Sequence, residues 1–321
     1  MREYTTELKS GITRSKEFEK KRLASYGVNV GTRCGNGCLY CSTGAVMRMH
    51  HSFEDVGESP FGAGYSIVDS NTPGRVARDA RRMRHRGTVQ LCTTVDAWAP
   101  ESRRYSLGRR CLASILSQPG WTVRILTKNA EVVEDFDLVR QHADRVLVGL
   151  SITATPEKGA VMSVIEPNAS PNHDRLQVLK KAHEMGLRTY AMFCPLLPGI
   201  AHHPDQIEKL IRFAVEFGAE EVFVEAVNAR GPGLRMTQEA LEAAGHVAEA
   251  EAIGGIRKRE NWSRYVVDLI RAVQQAMRDV FEVDRLRFLL YPSQLSPEHV
   301  NQIEQDDAGV VWLRRRGNGT T

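Results

Sequence analysis

Residues Val28 to Gly44 read VNVGTRCGNGCLYCSTG, and within them Cys34, Cys38 and Cys41 stand in a C-x3-C-x2-C spacing. Three thiolates in so short a loop can wrap one face of a soft metal centre, and Gly31, Gly35, Gly37 and Gly44 supply backbone freedom for that wrapping. An iron–sulfur cubane takes four cysteine ligands. The next cysteine, Cys92, lies far along the chain, so nothing local completes the set and one iron would be left open for a small molecule. Structural zinc is the alternative, but it asks for four ligands in paired spacings, and only His50 and His51 stand near in sequence.

Outward from this loop, short apolar β-branched runs alternate with helical patterns, as in βα units that build a parallel sheet. The pattern predicts strands near 28–32, 88–95, 121–127, 145–152, 187–194 and 220–227. Helices fall between them near 73–86, 104–117, 131–142, 172–185 and 204–217. Six such repeats make an α/β fold, an incomplete (β/α)6 barrel of the TIM type, whose chemistry belongs in the loops after the strands. The cysteine loop follows the first strand, as that rule requires. Residues 1–27 are expected to form an N-terminal extension, 28–228 the partial barrel, and 229–321 a mainly helical C-terminal region packed on it. The segment 53–71, with scattered Gly, Ser and Pro, reads as a loop or lid over one rim, and the tail RRRGNGTT as frayed.

A chain of 321 residues with 42% apolar content can bury a large core. The net charge of +4 is mildly basic and far from the bias of a dedicated nucleic-acid binder. Cys92, Cys111 and Cys194 stand apart from the cluster of three, which does not resemble a secreted disulfide framework and implies a reducing cytoplasm. The N-terminus lacks an apolar signal region, and no window nears the roughly 18 apolar residues of a membrane span. A soluble cytoplasmic protein is expected.

The chain resembles the radical S-adenosylmethionine superfamily, and within it the spore photoproduct lyase-like group. The superfamily likeness rests on the three cysteines with Tyr40 immediately before the third, placed directly after a strand. The group likeness rests on Leu126-Thr127-Lys128, Leu150-Ser151-Ile152, Ile165-Glu166-Pro167-Asn168-Ala169-Ser170-Pro171 with Arg175 beyond, and Pro195-Leu196-Leu197-Pro198-Gly199. The resemblance covers roughly residues 28 to 228 and implies a [4Fe–4S] cluster on Cys34, Cys38 and Cys41. It implies S-adenosylmethionine chelated by the open iron, a 5′-deoxyadenosyl radical made by one injected electron, and hydrogen abstraction from a substrate. The electron would come from an external donor of the flavodoxin or ferredoxin type. By the same likeness Tyr40 lies along the adenine, Lys128 and Ser151 stand near the cofactor, and Glu166 and Arg175 are further candidates. The group's substrate is a nucleic-acid base or nucleotide; a small metabolite or peptide is the alternative, and a non-catalytic, zinc-stabilised nucleic-acid-binding module a remoter one.

Strand parity adds one candidate. Val89, Leu91, Thr93 and Val95 share one face of the second strand and suit the helix layer, whereas Gln90, Cys92, Thr94 and Asp96 share the other. Cys92 would then face the lumen, where it resembles the cysteine that returns a hydrogen atom to the product radical. The group's relay also uses a tyrosine directly after the third cluster cysteine, and here Ser42 stands there. Each candidate has a plainer reading: Cys92 and Cys111 as core residues, Lys128 and Ser151 as strand ends, Glu166 and Arg175 as a loop pair. Cys194 stays open between the two. The arginine-rich stretch GRVARDARRMRHRG reads as a solvated outer helix or a phosphate-tracking face, and Trp98 as a base-stacking surface or loop packing.

Overall fold

A computed structural model describes residues 1–92 and 94–313. Its strands, in chain order, are β1 (Arg2–Thr5), β2 (Thr13–Arg14), β3 (Tyr26–Val28), β4 (Gly31–Arg33), β5 (Tyr65–Val68) and β6 (Thr88–Leu91). They continue with β7 (Thr122–Thr127), β8 (Val146–Leu150), β9 (Arg188–Leu196), β10 (Ala219–Ala226), β11 (Leu286–Leu290) and β12 (Val310–Trp312). The main sheet runs β12-β11-β10-β9-β8-β7-β6-β3-β2, parallel throughout except for the antiparallel edge strand β2. It is open, with β2 and β12 at separate edges.

The spatial order of the strands follows the chain order, so right-handed crossovers all fall on one face of the sheet. Alternation then divides the side chains between two environments. Val89, Leu91, Val123, Ile125, Val146, Val148, Val222, Val224 and Phe288 belong to one large cluster with the helices. Leu147, Tyr190, Met192, Phe223, Leu289 and Val311 form a second cluster on the other face, into which Leu23 packs from the N-terminal segment, with Phe18 at its margin. Gly149 has no side chain because the Tyr190 ring occupies the space where its Cβ would go.

Five of the expected strands agree with the sheet to within a few residues, β6 closing earlier than expected, at Leu91. The first is displaced: the chain leaves the main sheet after Val28, and Gly31–Arg33 instead pairs antiparallel with β5. Gly31 permits this, since a Cβ there would collide with the backbone at Ile67 and Val68. Residues 53–71, expected to be loop, therefore contain a buried strand, which joins β1 and β4 in a three-stranded sheet. The segment 229–313, expected to be mainly helical, also contributes strands. Besides the helices Gly233–Ala243, Val247–Gly255, Arg259–Val280 and Pro297–Glu304, it adds β11 and β12 to the main sheet, so the described residues hold eight parallel main-sheet strands, β3 and β6 to β12, where six were expected. Three residues, Val310-Val311-Trp312, are too short a run to display a period of two. The expectation for the tail 314–321 falls outside the described residues. Among those described, no helix is long and apolar enough to cross a membrane.

Because Leu23 is buried in the interior cluster at 7% exposure, Leu23→Ala is expected to lower the unfolding free energy by about 2–4 kcal/mol. A urea midpoint unchanged from wild type would show that residues 1–27 are a mere appendage.

Candidate cofactor and metal site

The cysteine loop runs from the end of β4 to the helix Thr43–Met47. Its backbone is held by neighbours distant in sequence. Gly35 N donates to Glu101 Oε1 at 2.8 Å, Asn168 Nδ2 donates to Gly35 O at 2.9 Å, Asn168 N to Asn36 O at 3.2 Å and Leu39 N to Ile165 O at 3.0 Å. Gly37 sits at φ +69°, a conformation that side chains rarely adopt. All three thiols are free, Cys34 and Cys38 half-buried and Cys41 exposed. Burial, with the nearby Glu101, pushes Cys34 well above the usual thiol range. Burial and then Glu166 push Cys38 up to about 12, against the opposing field of Lys128. Thiols in that state become ligands only when a binding cation displaces their protons.

Among the described residues no three Cys, His, Asp or Glu side chains converge as if on one metal ion. A mononuclear zinc needs sulfur donors about 2.3 Å from a single centre, whereas a cubane offers each thiolate its own iron. His50 and His51 are engaged locally: His50 Nδ1 accepts from Ser52 N at 3.2 Å and His51 pairs with Asp55 at 2.7 Å. The donor set that remains is three soft thiols on one glycine-rich loop, which fits a cluster with one open iron.

Beside Cys38 lies a connected polar network. Glu166, at the C-cap of the helix Gly159–Ile165 and only 3% exposed, accepts from Lys128 Nζ at 3.0 Å and Thr153 Oγ1 at 3.1 Å on Oε1, together with the Tyr40 hydroxyl. Its Oε2 accepts from Arg175 Nη2 at 2.5 Å. Burial alone would raise the Glu166 pKa, but Arg175 and Lys128 outweigh it and hold the carboxyl at about 2. Burial disfavours the charged Arg175 too, and the Glu166 partner more than compensates. Lys128, just past β7, also donates to Ser151 Oγ at 2.8 Å and stands 5.6 Å from the centre of the Tyr40 ring. Ser151, just past β8, donates to Cys194 O at 2.7 Å, and its own carbonyl accepts from Arg175 Nη1 at 2.8 Å. Tyr40, Lys128, Ser151, Glu166 and Arg175, picked out separately along the sequence, thus meet in one array.

Cys92 is placed differently from its expectation. Strand β6 ends at Leu91, and Cys92 packs in the same apolar cluster as Val89, Leu91 and Cys111 on the helix side of the sheet. It is 2% exposed, and Cys111 adds to the burial that raises its pKa. The alternation that put it in the lumen stops one residue before it, which removes the geometric argument for a hydrogen-donor role; Thr93, part of the same reading, lies outside the described residues. Trp98 is also interior, donating from Nε1 to Asp135 Oδ2 at 2.8 Å and filling the space beside Gly108, so it packs a loop and offers no base-stacking surface. In the helix Thr72–Arg82, Arg75 is committed to Asp69 and Glu7.

The sequence reading passed over much of the interior face. Past Lys128 and Ser151 the row of strand ends continues with Cys194, Glu225 and Tyr291. The Cys194 thiol donates to Glu225 Oε2 at 3.5 Å, and Lys21, from the N-terminal segment, lies 5.3 Å from the centre of the Tyr291 ring. Burial disfavours the Lys21 charge, yet Glu225 and then Tyr291 hold it protonated. A usable signal was present: Glu221, Phe223 and Glu225 alternate along a strand whose other face is Val222, Val224 and Ala226.

A family model described as the radical SAM superfamily matches residues 28–214. An uncharacterized protein of Acidianus two-tailed virus is 27% identical over 230 residues, 69% of this chain and 73% of the relative. An uncharacterized protein of Methanocaldococcus jannaschii is 26% identical over 178 residues, 55% of this chain and 62% of the relative. Among solved structures, spore photoproduct lyase complexed with dinucleoside spore photoproduct superposes with a TM-score of 0.56 at 14% identity, covering 87% of this chain and 80% of that one. A mutant of that lyase with bound AdoMet and the dinucleoside gives 0.57 at 14% identity, with the same coverage. At such identity the likeness is one of fold.

Glu166→Gln, which keeps shape but removes the charge that two buried or half-buried cations face, is expected to lower stability by about 3–5 kcal/mol in urea unfolding at neutral pH. A loss below about 1 kcal/mol, the value of an exposed pair, would refute this account of the network.

Proposed function

The chain belongs to the radical SAM superfamily, and on that premise we propose that Cys34, Cys38 and Cys41 hold a [4Fe–4S] cluster beside an S-adenosylmethionine site built from Tyr40, Lys128, Ser151, Glu166 and Arg175. The observation that carries this reading is the meeting of those five residues in one hydrogen-bonded array next to Cys38. When bound, the cluster and S-adenosylmethionine supply a carbon-centred radical that abstracts hydrogen from a substrate. The chain's own residues bind and orient. Tyr40 presents its ring to the adenine while its hydroxyl is held by Glu166. Lys128 and Ser151 offer an ammonium and a hydroxyl at the rim, and Arg175 keeps Glu166 ionised and in place. The apolar floor of Tyr190, Met192 and Phe223 keeps water from the row above it, where a reactive carbon species needs exclusion most. Exposed Cys41 leaves the cluster edge accessible to a one-electron donor of the flavodoxin or ferredoxin type.

A nucleic-acid base or nucleotide is the leading substrate, with a lyase, repair or base-modifying step. One observation favours the second reading, the same chemistry on a small metabolite or peptide: Ser42 stands where the lyase group has its tyrosine.

Anaerobic reconstitution with iron and sulfide is expected to load about four irons per chain, and reduction with S-adenosylmethionine to release 5′-deoxyadenosine. Replacing any one of Cys34, Cys38 or Cys41 with Ala should abolish both, while Cys92→Ala should retain cofactor cleavage. Wild-type protein that loads iron yet releases no 5′-deoxyadenosine would end the enzyme reading. For the substrate, deuterium passing into 5′-deoxyadenosine from labelled metabolites but not from labelled DNA or nucleotides would decide for the second.

A further inference from the structure

Asp96 is 6% exposed, and both of its oxygens are in use. Oδ1 accepts from Thr127 Oγ1 at 2.7 Å and Trp98 N at 2.9 Å. Oδ2 accepts from Lys128 N at 2.8 Å, Asn129 Nδ2 at 2.8 Å and Asn36 Nδ2 at 3.0 Å. Asn129 Nδ2 also reaches Asn36 Oδ1 at 3.1 Å, which closes a ring of three side chains. No ion pair to Asp96 occurs among the described residues, so neutral donors carry the whole burden of solvating a buried anion. Such charge-assisted bonds are short and directional.

The identity of the donors sets this carboxylate apart. Asn36 lies between Cys34 and Cys38, and the Lys128 amide belongs to the residue whose side chain bonds Ser151 and Glu166. Oδ2 is therefore shared between the cysteine loop and the strand end that carries Lys128. Asp135 is a useful contrast: equally enclosed at 8% exposure, it bonds Trp98 Nε1 at 2.8 Å and Arg109 at 3.1 Å and touches neither segment.

We infer that Asp96 is a positioning residue that holds the cysteine loop at one fixed separation from Lys128, so that a cofactor gripped at the open iron also meets the Lys128 end of the array. The inference rests on the proposed function. A ligand held at both ends gains from both contacts only while the two segments keep one spacing, since small misplacements at such sites are costly. Asp96 acts through Asn36 and Lys128, to both of which it is hydrogen-bonded.

Asp96→Asn puts an amide group where donors converge on each oxygen, so at least one bond must break. In anaerobically reconstituted full-length protein, cofactor affinity is read from the change that S-adenosylmethionine induces in the electron paramagnetic resonance spectrum of the reduced cluster. Asp96→Asn is expected to keep wild-type iron content while its dissociation constant rises about 10- to 100-fold, the range found when outer partners of metal ligands are lost. Asp135→Asn should bind with wild-type affinity at comparable loss of thermal stability. Wild-type affinity in Asp96→Asn, or equal weakening in Asp135→Asn, overturns the inference. Should Asp96→Asn fail to fold, Asn36→Ala, which removes the loop's side-chain bonds to Asp96 and Asn129 and leaves the other Asp96 bonds in place, decides it in the same assay by the same criterion. Wild-type protein that loads its cluster without measurable cofactor binding overturns the proposed function and this inference together; wild-type binding with unaltered variants overturns this inference alone.

Discussion

A carboxylate at 3% exposure survives folding only if cations and donors come to it, and Glu166 draws them from across the chain. Lys128 arrives from the end of β7, Arg175 from the first turn of the helix Asn172–Glu184, Thr153 from beyond β8 and Tyr40 from the cysteine loop. An ionised group left without such partners would cost several kcal/mol. Satisfying Glu166 therefore brings four separate segments to one point, and the site is the by-product of that requirement. The neighbouring Asp96 repeats the logic with neutral donors, and Glu101 and Asn168 pin the loop backbone between the two.

The sheet makes this convergence reachable. Strands in chain order with one hand of crossover leave one face to the helices and the other to a small interior cluster. Residues at the carboxyl ends of β7 to β11 then line up as a row: Lys128, Ser151, Cys194, Glu225 and Tyr291. The first two belong to the proposed cofactor array. The last three, with Lys21 folded in from the N-terminal segment, border the same interior from the far side. A mixed row of ammonium, hydroxyl, thiol and carboxylate over an aromatic floor suits a polar substrate better than a wholly apolar one.

Much of this was legible in one dimension. Short apolar, β-branched runs between helical patterns located β7 to β10 within a few residues, because parallel strands covered on both faces read as such runs. Cysteine spacing and Tyr40 located the loop, because ligand geometry constrains residues close in sequence. The misreadings share a cause. The fate of Val28 to Arg33 was decided by β5, which the first strand's own residues cannot announce, and β12 is too short to carry a pattern. Cys92 was assigned a face by extending an alternation past the point where the strand stops.

By itself the sequence determined most of the element types, the spacing of the thiol loop and the superfamily to which the chain belongs, since each depends on local spacing and side-chain identity. Only the tertiary structure decided that Glu166 and Arg175 are a buried ion pair against Tyr40 and Lys128, that Cys92 is buried in the same apolar cluster as Cys111, and that Lys21 and Glu225 share the interior with Cys194. Those outcomes depend on which segments pay for burying each charge together, and desolvation and pairing are properties of three-dimensional neighbours that no stretch of chain holds alone.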